Sequence, residues 1–167
     1  MKRFALLLSM LLLVCSSAYA DKKKKANEDT NTFRYDIEYC KTAADGQVIV
    51  KVWSYSKKAD IATQQSRKNA VHGVIFRGYV AEQSFQSQSP LVSDASIESR
   101  NADFFDAFFD DETATYARYV TKVVDSATEI RKVGKEYKVG VVVTVNKGLL
   151  CMHLEEAGII RGLSTGF

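Results

Sequence analysis

Residues 116–158 read YARYVTKVVDSATEIRKVGKEYKVGVVVTVNKGLLCMHLEEAG, and the fold class follows from this stretch. From Tyr137 to Val145 every second residue is apolar (Tyr137, Val139, Val141, Val143, Val145), with Lys138, Gly140, Val142 and Thr144 between them. Side chains alternate across a strand, so the spacing predicts a strand with one fully buried face and one mixed face. A turn at Lys132, Val133, Gly134 and Lys135 makes this the second arm of a long β-hairpin. Asn146 is placed to cap a helix over 147–157, and Gly158 to end it. Leu149, Leu150, Leu154 and Ala157 are the expected buried face of that helix.

Upstream, Phe33, Tyr35, Ile37 and Tyr39 alternate with Arg34, Asp36, Glu38 and Cys40, which predicts a half-buried strand. Ala44, Asp45 and Gly46 supply turn chemistry, and Val48, Val50 and Val52 begin a second strand running to about residue 56. Ile49, Trp53 and Tyr55 lie on its opposite face, which predicts partial cover there too. Asp60 is the expected N-cap of a helix over 61–79 with a stripe of Ala62, Ser66, Ala70, Gly73, Val74 and Tyr79. Glycine in a helix interior costs about 1 kcal/mol against alanine, so Gly73 and Gly78 point to close packing on a sheet. Residues 83–99 are rich in Ser and Gln, hold the only proline, Pro90, and read as a surface loop. Phe104, Phe105, Phe108 and Phe109 then share one face of a short helix. The order strand, strand, helix, helix, strand, strand, helix predicts an α+β two-layer sandwich. Its mainly antiparallel sheet has about four strands, with helices on one face.

The termini set the compartment. Lys2 and Arg3 precede an apolar run over 4–14, and Ala18-Tyr19-Ala20 has the form of a signal-peptidase site. The run is too short to span a bilayer. The expectation is a signal peptide over 1–20, a charged disordered linker over 21–31 and one α+β domain over 32–167. A second reading lipidates Cys15, although Val14 before it is larger than such signals prefer. Both readings export the chain, to the periplasm or the outer membrane, with no transmembrane span after processing. The lysine run over 22–25 is a solvated tail or a weak contact for anionic lipid. Beyond residue 25 the balance is 17 basic to 19 acidic residues. That leaves no basic stripe for a phosphate backbone and argues against a nucleic-acid partner.

One family pattern accompanies this reading. The helix carrying Arg67, Ala70 and Gly73, the strand Tyr119-Val120-Thr121-Lys122-Val123-Val124 and the strand from Tyr137 to Val145 follow in that order. Over residues 48–145 this resembles the N-terminal domain of the flagellar assembly protein T and related small envelope lipoproteins. The resemblance implies an exported α+β domain that acts in the bacterial envelope, some members assembling into rings or complexes. It carries over no catalytic residues. The phenylalanines over 104–109 have no counterpart in the pattern.

Little in the chain invites chemistry. The two histidines are His72, in mid-helix, and His153, two residues from Cys151 and so turned away from it on a helix. Asp103, Asp106, Asp110, Asp111 and Glu112 lack the alternate spacing and glycine of a calcium loop and read as a solvated helix face. No G-x-S-x-G segment occurs. Export makes Cys40 and Cys151 a candidate disulfide, the alternative being two free thiols. The phenylalanine quartet either plugs the core or leaves an apolar surface (Phe104, Phe105, Phe108, Phe109) on which a partner docks. The expected role is therefore non-enzymatic, without cofactor or metal: binding another envelope protein or helping a complex assemble. The alternative is a periplasmic small-molecule-binding or hydrolytic domain. Its pocket would lie near the C-terminal helix around Cys151 and His153, with Arg118, Arg131 and Tyr137 facing it.

Overall fold

The computed structural model describes residues 32–79 and 88–161. The expected signal peptide with Cys15, the charged linker and its lysine run, part of the 83–99 loop and residues 162–167 lie outside the described residues. Strands β1 (Tyr35–Thr42) and β2 (Gln47–Ser56) form a hairpin, followed by helix α1 (Ala59–His72) and a π-helical turn, Gly73–Arg77. Two short helices, α2 (Ser96–Arg100) and α3 (Ala102–Phe109), lead through a 3-10 turn, Thr115–Tyr119, into β3 (Val120–Val133). Strand β4 (Glu136–Asn146) and helix α4 (Lys147–Glu156) complete the α+β fold. The sheet order is β1-β2-β4-β3 and every pairing is antiparallel.

The central pair, β2 with β4, runs from Gln47 opposite Asn146 to Ser56 opposite Tyr137 without a register shift. Val48, Val50 and Val52 of β2 and Val139, Val141, Val143 and Val145 of β4 are buried on one face, as their alternation requires. Helix α1 covers that face with Ala62, Ser66 and Ala70, all buried. At its end a Cβ on Gly73 would stand 2.6 Å from Ile37 Cδ1, so glycine is what permits the close approach. A polar clamp fixes helix on strand. Asn69 Nδ2 donates to Ser54 Oγ at 2.8 Å, Ser54 and Ser66 share a hydroxyl bond at 3.1 Å, and Ser66 Oγ donates to the Ala62 carbonyl at 2.9 Å. Each buried hydroxyl is satisfied, so the clamp specifies register without an orphaned group.

Four expectations are corrected. Lys58, not Asp60, occupies the N-cap of α1 and makes no side-chain cap; Asp60 sits in the first turn, where its charge opposes the helix dipole favourably. Regular α-helix ends at His72, and the π turn ends at Gly78, whose φ of 65° and bond to the Gly73 carbonyl stop it short of Tyr79. Helix α2 interrupts the stretch read as loop, started by Asp94 Oδ1 accepting from the Ser96 N–H at 2.9 Å. Leu149 is 47% exposed, the buried face of α4 being Leu150 and Leu154. The Asn146 cap is as expected, with Oδ1 accepting from the Leu149 N–H at 2.9 Å.

Among the described residues the sheet's other face carries no helix and is covered by its own side chains. Trp53 lies opposite Gly140, only 5% exposed, and a Cβ on Gly140 would stand 2.7 Å from the indole. Lys51, Arg131 and Lys138 place their cations 4.5, 4.8 and 5.2 Å from the indole centroid. The indole N–H donates to Glu38 Oε1 at 2.9 Å, Glu129 pairs with Lys51 and Arg131, and Asp36 accepts from Lys138 and Tyr55. Alkyl stems thus take the apolar contact and their heads stay wet. Both sheet edges are irregular, which blunts pairing with other chains. Cys40 is the inserted residue of a bulge on β1, and residues 125–128 of β3 bulge between Val124 and Glu129. Among the described residues no helix is long and apolar enough to cross a membrane.

Because the indole occupies the space above Gly140, Gly140→Ala is expected to destabilise the fold by about 1–3 kcal/mol. Urea unfolding followed by Trp53 fluorescence measures it. In a Trp53→Ala background, followed by circular dichroism, the same substitution should cost close to nothing.

Candidate functional site

Helix α3 presents its phenylalanines at i, i+1, i+4 and i+5, a wedge wide enough to fill the gap between α1, the 3-10 turn and α4. Phe105, Phe108 and Phe109 are buried and Phe104 is half-buried. Phe105 meets Phe76 at 4.9 Å, Phe108 stacks on Tyr119 at 5.7 Å and Phe109 meets Phe33 at 5.2 Å. The expectation of a docking surface on Phe104, Phe105, Phe108 and Phe109 is therefore corrected: the quartet closes the core. Asp103, Asp106 and Asp110 take the solvent side, and no cluster of metal-ligating residues occurs among the described residues.

The wedge encloses His72. Its ring stacks on Phe33 at 3.7 Å and is flanked by Phe76 at 4.9 Å and Phe109 at 5.5 Å. Nδ1 lies 2.7 Å from the Tyr35 hydroxyl and Nε2 lies 3.2 Å from Glu98 Oε1. Burial, and secondarily the charge of Arg77, pushes His72 down to about 3, so at neutral pH it is uncharged. A carboxylate can only accept, so the Nε2–H donates to Glu98 and the tyrosine O–H donates to Nδ1. The pair with Glu98 is a hydrogen bond to a neutral ring, not an ion pair. Burial likewise raises the Tyr35 hydroxyl far above the ordinary phenol range. Both ring nitrogens are engaged and the ring is enclosed, so His72 is no general base.

In front of this box opens a cleft of about 480 Å³ between α1 and the α2–α3 pair. Phe33, Phe105 and Phe109 wall it, and Lys68, Glu98 and Asp106 supply its charges. Lys68 is only 4% exposed, with its ammonium 3.1 Å from Asp111 Oδ1 and 6.0 Å from the ring centroids of Phe33 and Tyr116. Burial raises Glu98 above the usual carboxylate range, Arg77 draws it back, and the charge of Asp106 raises it again. The Arg77 guanidinium is itself held by the carbonyls of Tyr35 and Phe33, at 2.7 and 3.1 Å. Asp106 has no hydrogen-bond or ion-pair partner among the described residues.

The other candidates do not converge. Cys40 and Cys151 are free thiols, which corrects the disulfide. Cys40 sits exposed at the β1 bulge, where the charges of Lys51, Glu38 and Lys41 reach it, while Cys151 lies on α4 in the helical layer with Sγ 3.6 Å from Glu155 Oε1. Burial raises both thiols, and Glu155 raises Cys151 further, so neither is an activated nucleophile. His153 packs among Phe104, Phe108 and Tyr119, its ring 5.7–5.9 Å from theirs. Arg131 lies over Trp53 on the open sheet face, and Tyr137 packs against the core. A shallow groove of about 940 Å³ does run along α4, lined in part by Arg100, Lys147, Cys151, Glu155 and Arg161. It includes Cys151 but not His153, Arg118, Arg131 or Tyr137.

Tyr35, Lys68 and Glu98 join the site through tertiary contacts. Their partners stand 26 to 43 positions away in the chain, and only a polar residue at a buried α1 position, Lys68 or His72, offered a local signal. No protein-family model, no curated protein and no solved structure matches the chain. The resemblance to the flagellar assembly protein T domain accordingly rests on its quoted residues alone.

Two outcomes follow from the wedge and the box. Phe109→Ala should cost about 3–5 kcal/mol in chemical denaturation, the range for a buried phenylalanine. Between pH 6.5 and about 3 the unfolded chain holds a proton on His72 that the folded chain does not. Stability therefore falls on acidification through that window, by up to about 1.4 kcal/mol per pH unit. Depressed carboxylates such as Asp36, Glu129 and Glu136 add their own loss nearer pH 4 and below. Urea midpoints measured from pH 7 to 4.5 isolate the histidine, and His72→Gln should flatten that slope.

Proposed function

We propose that this chain is an exported, non-catalytic domain of the bacterial envelope that binds another envelope protein through the cleft between α1 and α3. Export is supported by the charged start, apolar run and Ala18-Tyr19-Ala20 of its leader. A non-catalytic role is supported by the state of its reactive groups. His72 is enclosed and neutral, and both thiols are raised away from the thiolate. The observation that carries the binding reading is the cleft itself. Its aromatic walls belong to a packed core, while Glu98 and Asp106 face open space with no ion-paired lysine or arginine among the described residues. A concave site with rigid apolar walls and a few placed charges is the usual form of a recognition site.

A second reading takes the larger groove along α4 as a small-molecule site, favoured by the cations of Arg100, Lys147 and Arg161 on its rim. Burial depresses Lys147, and Cys151 beside it is no thiolate, so this reading keeps the binding half of the alternative and drops the hydrolytic half.

Site-specific photo-cross-linking in intact envelopes separates these readings. A cross-linker at Ser99, on the cleft, should give one discrete protein adduct that Ala102→Trp abolishes by filling the cleft. A cross-linker at Asp125 on β3 should give none. Equal adducts at both positions, or an adduct that survives Ala102→Trp, would overturn the cleft; an adduct only from Ser93, beside α4, would move the site to the groove.

A further inference from the structure

The cleft's chemistry selects its occupant. We infer that it takes a protonated primary amine on an apolar stem, the chemistry of a lysine side chain or of an alkyl diamine. This rests on the cleft being the binding site.

The first ground is charge. Lys68 is already paired with Asp111, so the cation on the cleft wall does not serve Glu98 or Asp106. Glu98 receives only the N–H of a neutral imidazole, and Asp106 receives nothing from the described residues. Arg77 reaches Glu98 electrostatically, but its N–H groups are committed to two backbone carbonyls. An arriving cation would meet two carboxylates that lack a full counter-charge; an arriving anion would meet their repulsion. From Asp94 to Glu112 the covering segment carries seven acidic residues against Arg100 alone, so the approach is acidic as well.

Shape is the second ground. Phe33, half-buried, offers ring surface for a hydrocarbon stem, the buried Phe105 and Phe109 back the cleft behind it, and an ammonium gains further from aromatic faces. The molecule already holds one ammonium by this means. Lys68 lies almost wholly buried, its ammonium between a carboxylate and the rings of Phe33 and Tyr116. A second alkylammonium placed against Glu98 and Asp106 would repeat that arrangement one helical turn along α1, beside His72. The volume of about 480 Å³ admits a side chain or a small diamine and no folded element.

Calorimetric and amide-NMR titration of the purified protein tests this with four probes. They are 1,5-diaminopentane, the peptide acetyl-Gly-Lys-Gly-amide, and the same peptide with Nε-acetyl-lysine or norleucine in the central position. The two amines should bind with saturable shifts confined to residues around 98–109, weakening as salt rises. The acetylated and norleucine peptides should not bind. The double substitution Glu98→Gln with Asp106→Asn should weaken amine binding roughly tenfold or more. The melting temperature should not fall, since Gln still accepts from His72, Asp106 has no partner to lose and the carboxylate repulsion is removed. Binding of the lysine peptide well above the diamine identifies a protein side chain as the source; the reverse identifies a free amine. Equal binding of lysine, acetyl-lysine and norleucine peptides would overturn the inference, as would no binding at all. If no amine binds yet the Ser99 cross-link persists, the amine falls and the cleft stands; if both fail, the cleft falls too.

Discussion

The pairing of β2 with β4 is the constraint on which the rest of the molecule depends. These strands are the two interior members of the sheet, and they zip together from Gln47–Asn146 to Ser56–Tyr137 with no bulge. A shift of one residue would turn every valine on both strands to the opposite face, so the register admits no slippage. It also dictates what lies between. All of α1, α2, α3 and β3 is a single excursion whose ends are brought together by that pairing, and the helical part must return across the valine face. Small side chains along α1 let it do so at close range, and the Ser54–Ser66–Asn69 clamp fixes where it lands. The price of a flat, tight α1 is that it is too narrow to cover the sheet alone. The phenylalanine wedge on α3 fills the remaining space, and the cleft is the seam left between α1 and the α2–α3 pair.

The opposite face shows why one helical layer suffices. An uncovered central pair, with Trp53 of β2 and Val142 of β4 on its outer face, would be an apolar surface open to water. Gly140 removes a side chain where the indole must lie flat, and three long cationic side chains close over the ring. Each cation–π contact and each surface ion pair is worth only about 0.5–1 kcal/mol, or less, on its own. Their effect is collective, because all of them shelter the same indole from solvent. The layer adds solubility and cover without adding an element to the fold.

What the sequence made legible follows from range. The valine alternation of β4, the hairpin turn at Asp45-Gly46 and the Asn146 cap are local patterns, and each is present as read. The same local reasoning misplaced the start of α1, because Asp60 and the true N-cap, Lys58, differ by only two positions and no side chain closes the cap. It took Gly78 for a helix-interior residue, because the backbone of Gln88 that crowds it is a tertiary neighbour. The phenylalanine quartet was read correctly as one helix face, but a face has no address until its neighbours are known. Whether four rings point to Phe76, Tyr119 and Phe33 or to solvent depends on pairings across tens of residues. Cys40 and Cys151 belong to the same class: compartment chemistry permits a bond, and only the sheet's two sides forbid it.

The site is where local and global rules disagree. Among the described residues the buried polar side chains are partnered except for Gln65 Nε2: the serine clamp on α1, the tyrosine–histidine–glutamate chain, Lys68 with Asp111, Arg77 with two carbonyls. At the mouth of the cleft the shortfall is one of charge, on carboxylates that are partly or wholly exposed. Two like-charged carboxylates face one space, one of them raised by burial and by the other, with the nearest lysine and arginine engaged elsewhere. That arrangement lowers stability, since an apolar or amide side chain at either position would relieve the repulsion. On the proposed reading, the chain keeps such a conflict where binding, not folding, resolves it. The rigidity of the wedge sharpens the point. Because Phe105 and Phe109 are locked by their own packing, an occupant finds the walls already in place and loses little to ordering them.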